Sequence, residues 1–487
     1  MITIDFDDRE RIGLRYILDG LHPCSPFGAE RVRKLRFYTP EERAELETEL
    51  GNAERAARSA DALKPIYDRI MLVLCQLKDI RGSLRRLSEG AVLDHVELFE
   101  LKGFLLRLFD LRPLSDRMIE TSAIEGIDFS DPTDALDVLD PEHTRSRGFY
   151  IPDGASEKLR AIRAEKRRLE QRLYEAAGSK KDAIKADRTR VCAEEETEER
   201  MIRTAMCKAL LPHVPAMLSD ADAAGRLDFL IQKALFAVRY ECVKPEITDT
   251  ALELIDMRNP ELVDLLKDKG REFVPVSIST DRGATVVTGA NMGGKSVALK
   301  TVALNVLLFH AGFLVCAKRA RLPMFRSVKM LFDDAQSMQS GLSGFGSEIV
   351  RFNRALHEVE QGYSLFLLDE FARGTNPDEG AVIVQAVTQY LNGVNAISIL
   401  ATHYDGVAEH ARVHYQIIGL RDIDPDAIKA ELAAAAGDGV AIIARHMNYG
   451  LYRVEGKADC PKDALHICRM LSMQPEILAR IEEAYNP

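Results

Sequence analysis

Residues 284–309 read ATVVTGANMGGKSVALKTVALNVLLF, and the eight in the middle, Gly289–Ser296 (GANMGGKS), decide the fold. They satisfy G-x-x-x-x-G-K-[ST], behind a β-branched run and ahead of an apolar one long enough for a helix. In a strand–loop–helix of this kind, glycines let the backbone curl so that successive N–H groups face phosphate oxygens, and the helix N-terminus adds its positive end. Gly289, Ala290, Asn291, Met292, Gly293, Gly294, Lys295 and Ser296 are therefore the candidate phosphate cradle. Lys295 is expected to reach the β- and γ-phosphates, and Ser296 to hold Mg²⁺. The bland alternative is a glycine-rich turn, which the flanking strand and helix argue against.

Further along, Ser364–Phe371 (SLFLLDEF) runs four apolar residues into two acids. Ligands of open α/β sheets sit at the carboxyl ends of strands, where these acids fall. Asp369 is placed to orient Mg²⁺ and Glu370 to act as general base on the attacking water, since phosphoryl transfer asks mostly for positioning and charge stabilisation. Ile399–Asp405 (ILATHYD) ends a third apolar run at His403. A histidine at a strand end is commonly just a satisfied polar group; beside the other two motifs it becomes a candidate γ-phosphate sensor.

Around these motifs short β-rich runs alternate with helical ones from about residue 271: Thr285–Thr288, Val328–Phe332, Leu365–Leu368 and Ile397–Ala401. That is the pattern of a mainly parallel sheet covered by helices. The preceding 270 residues read as helical, with Ile66, Ile70, Val73 and Leu77, then Leu98, Leu101, Leu105 and Leu108, at i+3/i+4 spacing. Asp, Pro and Gly residues break the pattern between 128 and 155. From Ser156 a heptad begins, with Leu159, Ile162, Leu169, Leu173 and Ala176 at a and d and Lys166 interrupting one slot. Gly178–Ser179 offers a turn, and a second helix is expected to return through Thr189–Leu211. Residues 157–190 hold 12 Lys/Arg against 6 Asp/Glu, which fits either a solvated coiled-coil face or an arm that touches phosphates.

Composition sets the frame. A chain of 487 residues is too long for one ordinary core. Its net charge of −11 argues against a uniformly basic nucleic-acid coat. The cysteines at 24, 75, 192, 207, 242, 316, 460 and 468 include no C-x-x-C, so reduced thiols are expected rather than a zinc site or a disulfide framework. The acidic start MITIDFDDRERIG lacks a signal core, and the longest apolar stretch, Val302–Phe313, contains Asn305 and His310. A cytoplasmic chain without a membrane span is the expectation.

The loop NMGGKS, the strand ending in DE followed by RGT (Arg373–Thr375), and ATHY together resemble the MutS family of ATPases. The likeness runs from Phe273 to Tyr404 and more weakly through Tyr449–Leu451 and Ala464–Ala479. It implies an α + α/β fold: a helical core over 1–150, a reduced lever or clamp hairpin over 151–215, a helical return over 216–270, and a P-loop, ABC-type ATPase domain over 271–487. ATP and Mg²⁺ follow as cofactors. Phe273 matches an aromatic that stacks on adenine, although Val276 replaces the family's Asn. Asn291 would contact phosphate. Asp333–Asp334 and GLSGFGSE match the stretch whose serine, here Ser343, reaches a partner's γ-phosphate; Gly344 stands where Thr is usual. Asn376–Gly380 matches a loop facing that partner, so a homodimer through the ATPase domains is implied.

Leu21–Leu35, Gly148–Arg163, Leu227–Glu246 and Met257–Leu262 resemble the family's helical core, clamp helices and return more loosely. The mismatch-reading domain with its Phe-x-Glu wedge, the connector domain and a C-terminal Smr domain find no counterpart, so direct mismatch reading is not expected. Two targets stay open. One is branched or distorted duplex DNA gripped by the helices. The other is a protein partner, such as an adenosylcobalamin-dependent amino-acid aminomutase reactivated by the ATPase. A degenerate ATPase is a third reading, against which stand the intact Lys295, Ser296, Asp369, Glu370 and His403.

Overall fold

The computed structural model describes residues 2, 4–175, 177–289, 294–332, 343–419, 446–455, 468–469 and 473–485. Helices α1 (Phe6–Arg11), α2 (Leu14–Asp19), α3 (Pro26–Arg33), α4 (Arg43–Ser59), α5 (Lys64–Leu74), α6 (Arg81–Ser88), α7 (His95–Ser122) and α8 (Thr133–Leu139) come first. They are followed by α9 (Glu157–Glu175), α10 (Ser179–Leu210) and α11 (Val214–Arg239). The chain divides into two compact units: residues 22–34 with 58–232, and residues 1–21 with 35–57 and 233–487.

The first unit is helical because its apolar residues recur every three or four positions. Leu98, Leu101, Leu105 and Leu108 of α7 are each at most 1% exposed. Asp94 and Glu97 close a reciprocal capping box at the start of that helix. Helix α5 stops at Leu74, short of the periodic Leu77, which is buried all the same. Helix α3 lies against α11: the Asp228 carboxylate accepts from the Ser25 amide and hydroxyl, each at 2.6 Å, and from the Cys24 amide. A Cβ on Gly28 would come within 2.3 Å of that carboxylate, so only glycine allows the approach. The hairpin α9–α10 buries Leu159, Ile162 and Leu169 on one side and Ile184 and Val191 on the other. Lys166, the break in the heptad, pairs with Glu195 at 2.5 Å. The return helix starts at Ser179, ten residues before the expected Thr189; polar, alanine-rich sequence hides the period there. Ala176 lies outside the described residues.

The second unit holds two sheets. Strands β1 (Glu246–Thr248) and β2 (Leu252–Met257) fall inside the stretch read as helical, a correction, since runs this short carry too few positions to show alternation. After α12 (Pro260–Asp268) come β3 (Val276–Thr280), β4 (Gly283–Thr288), α13 (Lys295–His310), β5 (Arg319–Pro323), β6 (Ser327–Leu331), α14 (Ser343–Val359), β7 (Ser364–Asp369), α15 (Pro377–Leu391), β8 (Ala396–Thr402), β9 (Val413–Gly419) and β10 (Asn448–Arg453). The smaller sheet has the order β1-β5-β2-β3 and the larger β10-β9-β4-β8-β7-β6. In the larger one β9, β4, β8, β7 and β6 pair in parallel, and β10 joins antiparallel. The chain is thus mixed helical and α/β. Strands β4, β7 and β8 are buried along their whole length, as parallel strands covered on both faces should be. Phe352 of α14 stacks on Phe371 at 4.8 Å inside the core that these helices form with the sheet.

Helix α13 is buried nearly all round, and the polar Asn305 and His310 in its C-terminal half are satisfied. Asn305 accepts from the Cys316 amide at 2.8 Å and donates to Arg258 O at 3.3 Å. His310 Nε2 accepts from the Phe325 amide at 3.1 Å, which puts its proton on Nδ1, 2.8 Å from Tyr38 O. Burial holds its pKa down at about 4, below the ordinary 6.5. Between those values the unfolded chain takes up a proton that the folded chain refuses. This stability is complete above pH 6.5, is lost as pH falls toward 4, and amounts to roughly 3 kcal/mol. We expect the urea midpoint of the wild type to fall more steeply between pH 6.5 and 4.5 than that of His310→Gln; equal slopes would remove His310 from the acid response.

Candidate functional site

Strand β4 delivers the chain to Gly289, and α13 resumes it at Gly294–Lys295. Gly294 has φ +92°, and a Cβ there would lie 2.9 Å from Tyr449 Cδ1, so this corner needs glycine on both counts. Lys295 is 4% exposed. Its Nζ donates to Gly289 O at 2.7 Å, folding the side chain back along the loop, and lies 3.4 Å from Glu370 Oε1.

The two acids arrive from β7 differently. Asp369 is the last residue of the strand and is buried; the Ser296 hydroxyl hydrogen-bonds to its carboxylate, while its Oδ1 has no hydrogen-bond partner. Burial raises its pKa, with the Glu370 charge adding to the rise and Lys300 and Lys295 opposing it. Glu370 leaves the strand in the left-handed region at φ +49°, and Ala372 follows at φ +64°. Such residues cost about 1–3 kcal/mol each and persist only where neighbours over-determine them. Here the Glu370 amide donates to Ala401 O of β8 at 2.9 Å. The Ala372 amide donates to Glu348 of α14 at 3.1 Å, and Ala372 O accepts from the Tyr404 hydroxyl at 2.9 Å. The bend turns Glu370 toward the loop rather than along the sheet.

Around Glu370 stand three cationic or potentially cationic groups: Arg373 at 3.1 Å, Lys295 at 3.4 Å and His403 Nδ1 at 3.8 Å. His403 follows the last residue of β8 and rests on the Tyr404 ring. Its Nδ1 is buried without a hydrogen-bond partner, and burial lowers its pKa, the nearby Glu370 notwithstanding. The imidazole is therefore neutral at pH 7, with one nitrogen free to meet a ligand.

Beside this polar cluster opens a cleft of 730 Å³ reaching from Lys295, Ser296 and Glu370 to an apolar wall of Leu262, Leu265 and Leu266 of α12 with Phe273, Met447 and Tyr449. Lysine, hydroxyl and carboxylate groups at one end and aromatic and aliphatic walls at the other suit a molecule with a charged tail and a flat apolar head.

The structure thus brings Gly289, Gly294, Lys295, Ser296, Asp369, Glu370 and His403 into one cluster and places Phe273 on the wall of the adjoining cleft. Ala290, Asn291, Met292, Gly293, Asp333 and Asp334 lie outside the described residues, as does the Ser343 side chain. Ser343 opens α14, whose Phe345 lies beside Gly374 in the turn after Glu370. Several participants were given no role by the sequence. The α12 leucines, Tyr449 and Glu348 are distant in the chain and meet the site only through folding. So does His414 of β9, whose Nε2 lies 2.8 Å from the Thr288 hydroxyl at the end of β4. The signals available were the amphipathic spacing of Leu262, Leu265 and Leu266 and the family likeness of the stretches that hold Leu262, Glu348 and Tyr449.

Residues 285–472 match the family model for MutS domain V. An Endonuclease MutS2 of Streptococcus agalactiae serotype V is 28% identical over 345 residues, 69% of this chain and 42% of that protein. Those of Geobacillus sp. WCH70 and Acetivibrio thermocellus are 35% and 34% identical over 214 and 201 residues, covering 26% and 25% of their lengths. The chain spans about two fifths of the length of the Streptococcus agalactiae relatives. Residues 285–472, which take in most of β4 and the acids of β7, are thus identified as a MutS domain V, and the relatives extend the likeness beyond it.

Proposed function

We propose that the chain is a Mg²⁺-dependent, ATP-hydrolysing switch built on a P-loop, ABC-type ATPase domain spanning 271–487. The observation that carries this is the meeting of Lys295 and Glu370, 3.4 Å apart, at the mouth of a cleft with an apolar far wall. In this reading Phe273 and the α12 leucines hold the adenine, and Gly289–Ser296 hold the triphosphate. Lys295 exchanges its contact with Gly289 O for the β- and γ-phosphates. Glu370 then accepts a proton from the attacking water, and neutral His403 offers its free nitrogen to the γ-phosphate. The orphaned, buried Asp369 Oδ1 and the Ser296 hydroxyl are hard oxygen donors of the kind magnesium prefers. Among the described residues no group of three His, Cys, Asp or Glu side chains could hold a metal alone, which fits an ion shared with phosphates. When bound, magnesium neutralises charge developing on the phosphates.

The family likeness supports a dimer in which Ser343, at the head of α14, faces the partner's nucleotide. It also supports action on branched or distorted DNA through the helical regions assigned above to core, hairpin and return (1–150, 151–215 and 216–270). The relatives carry the name endonuclease; a nuclease activity is not assigned to this chain, and no observation favours the aminomutase-type partner. The hairpin narrows the DNA reading. Most of its cations are spoken for: Lys158 by Glu198, Arg163 by Asp153, Glu195 and Glu199, Arg167 by Asp153, Arg168 by Glu165, Arg188 by Glu170. At the tip Arg172, Lys180 and Lys181 are exposed and make no ion pair among the described residues, with Tyr174 95% exposed between them. Among the described residues no helix is long and apolar enough to cross a membrane.

Glu370→Gln is expected to keep ATP affinity while lowering turnover by about 10²–10⁴-fold, whereas Lys295→Ala weakens nucleotide binding itself. Turnover by the Gln variant within a few fold of wild type would sink the base assignment. For DNA, neutralising Arg172, Lys180 and Lys181 together should flatten the slope of log affinity against log salt by up to roughly 3, measured on a branched duplex. A slope unchanged by that triple substitution would count against the hairpin tip as the contact.

A further inference from the structure

Cys242 and Cys316 are 74 residues apart, and their sulfurs lie 3.1 Å from one another. The backbone explains the meeting. Val243 and Val315 form an isolated antiparallel bridge in which each amide donates to the other's carbonyl, at 2.8 and 2.9 Å. That makes them a hydrogen-bonded pair, so the next pair outward, Cys242 and Cys316, is a directly opposed non-hydrogen-bonded pair. Such pairs hold their Cα atoms about 4.5 Å apart, at the short end of the range a disulfide spans.

Both backbones are pinned. Helix α11 ends with Glu241 in the left-handed region at φ +51°, and the Cys242 amide donates back to Ala237 O at 2.9 Å. On the other side the Cys316 amide donates to Asn305 of α13, and its carbonyl accepts from the Arg258 amide at 2.7 Å. Cys242 is the less buried of the two residues, and Cys316 is buried but lines a small cleft with Tyr240, Arg258 and Pro260.

We propose that Cys242 and Cys316 are a modification site: a cross-strand dithiol that closes to a reversible disulfide when a low-molecular-weight disulfide is supplied. The Cys242 sulfur, as thiolate, attacks one sulfur of the reagent, forming a mixed disulfide and releasing one thiol that carries off the proton. The Cys316 sulfur then attacks Cys242 Sγ and expels the second thiol with its proton. Two protein thiols are oxidised by two electrons, and one small disulfide is reduced to two thiols. The bond ties the end of α11 to the segment that Asn305 anchors on α13, the helix that begins at the candidate phosphate loop. Burial pushes the Cys242 thiol up, so the first step is slow at neutral pH and quickens with alkali.

Native full-length protein would be incubated with oxidised glutathione at pH 7 and pH 8.5, quenched with N-ethylmaleimide and digested with trypsin. We expect peptides 240–258 and 301–318 to appear linked, sooner at the higher pH, and to separate on reduction with dithiothreitol. In Cys316→Ser the glutathione adduct should accumulate on Cys242, the first step without the second. Among the described residues Cys24 and Cys75 are also hydrogen-bonded to one another, and the peptide map separates a link there from this one. Cys242 persisting as its glutathione adduct in the wild type, with Cys316 alkylated once the protein is unfolded, would overturn the proposal. So would a thermal midpoint lower in the linked protein than in the reduced one, because the bond would then form only by distorting the native backbone.

Discussion

The register of three parallel strands governs everything at the candidate site. Thr288 of β4 sits opposite Thr402 of β8, and Asp369 of β7 opposite Ala401. The three strands therefore end level with one another, and whatever follows each is delivered to the same edge of the sheet: the glycine loop after Thr288, Glu370 after Asp369, His403 after Thr402. A slip of one residue in a parallel pair would carry an acid to the opposite face and leave its neighbours without it. The uninterrupted burial of these strands is what forbids the slip, since a shift in register would displace whole rows of Leu, Ile and Val from close-packed positions.

The level strand ends bring charges together at a cost the fold must offset. Asp369 and Glu370 are neighbours, and both face a buried lysine. Asp369 is held by the Ser296 hydroxyl and keeps one oxygen unpartnered, whereas Glu370 is swung away by a left-handed backbone into contact with Lys295 and Arg373. Burial pushes Asp369 and His403 toward their neutral forms, helped at Asp369 by the charge of Glu370 and at His403 by those of Lys295 and Arg373. The restraint comes from further out: Glu348 on α14 and Tyr404 after β8 both bind Ala372, so the helix that Ser343 opens bears on the turn holding the candidate base. That shared turn supplies a physical route by which an event at the head of α14 would be felt at Glu370.

Much of this was legible in one dimension. The cradle, the acid pair and the histidine each lie within a run of eight residues, because each is a strand end and its following loop, and local motifs of that kind survive without tertiary context. The core strands could be found because parallel strands buried on both faces read as apolar runs. Short edge strands such as β1 and β2 could not, and the start of α10 was hidden by alanine and lysine that favour a helix without marking a face. The hairpin also changed meaning: its sequence is rich in cations, but acids some 30 residues on, Glu195, Glu198 and Glu199, answer those near its base and leave the free charge at the tip.

By itself, then, the sequence determined that a helical part precedes an α/β part, where the glycine loop proposed to hold phosphate lies, and the residues that end β7 and β8, because these depend on neighbours in the chain and on periods of two or 3.6 residues. Only the tertiary structure decided which strand ends meet, that Glu370 turns by a strained backbone toward Lys295, that the α12 leucines and Tyr449 wall the cleft, and that Cys242 opposes Cys316. Those facts rest on register and packing between segments tens to hundreds of residues apart, and such contacts leave no mark in the local spacing of one chain.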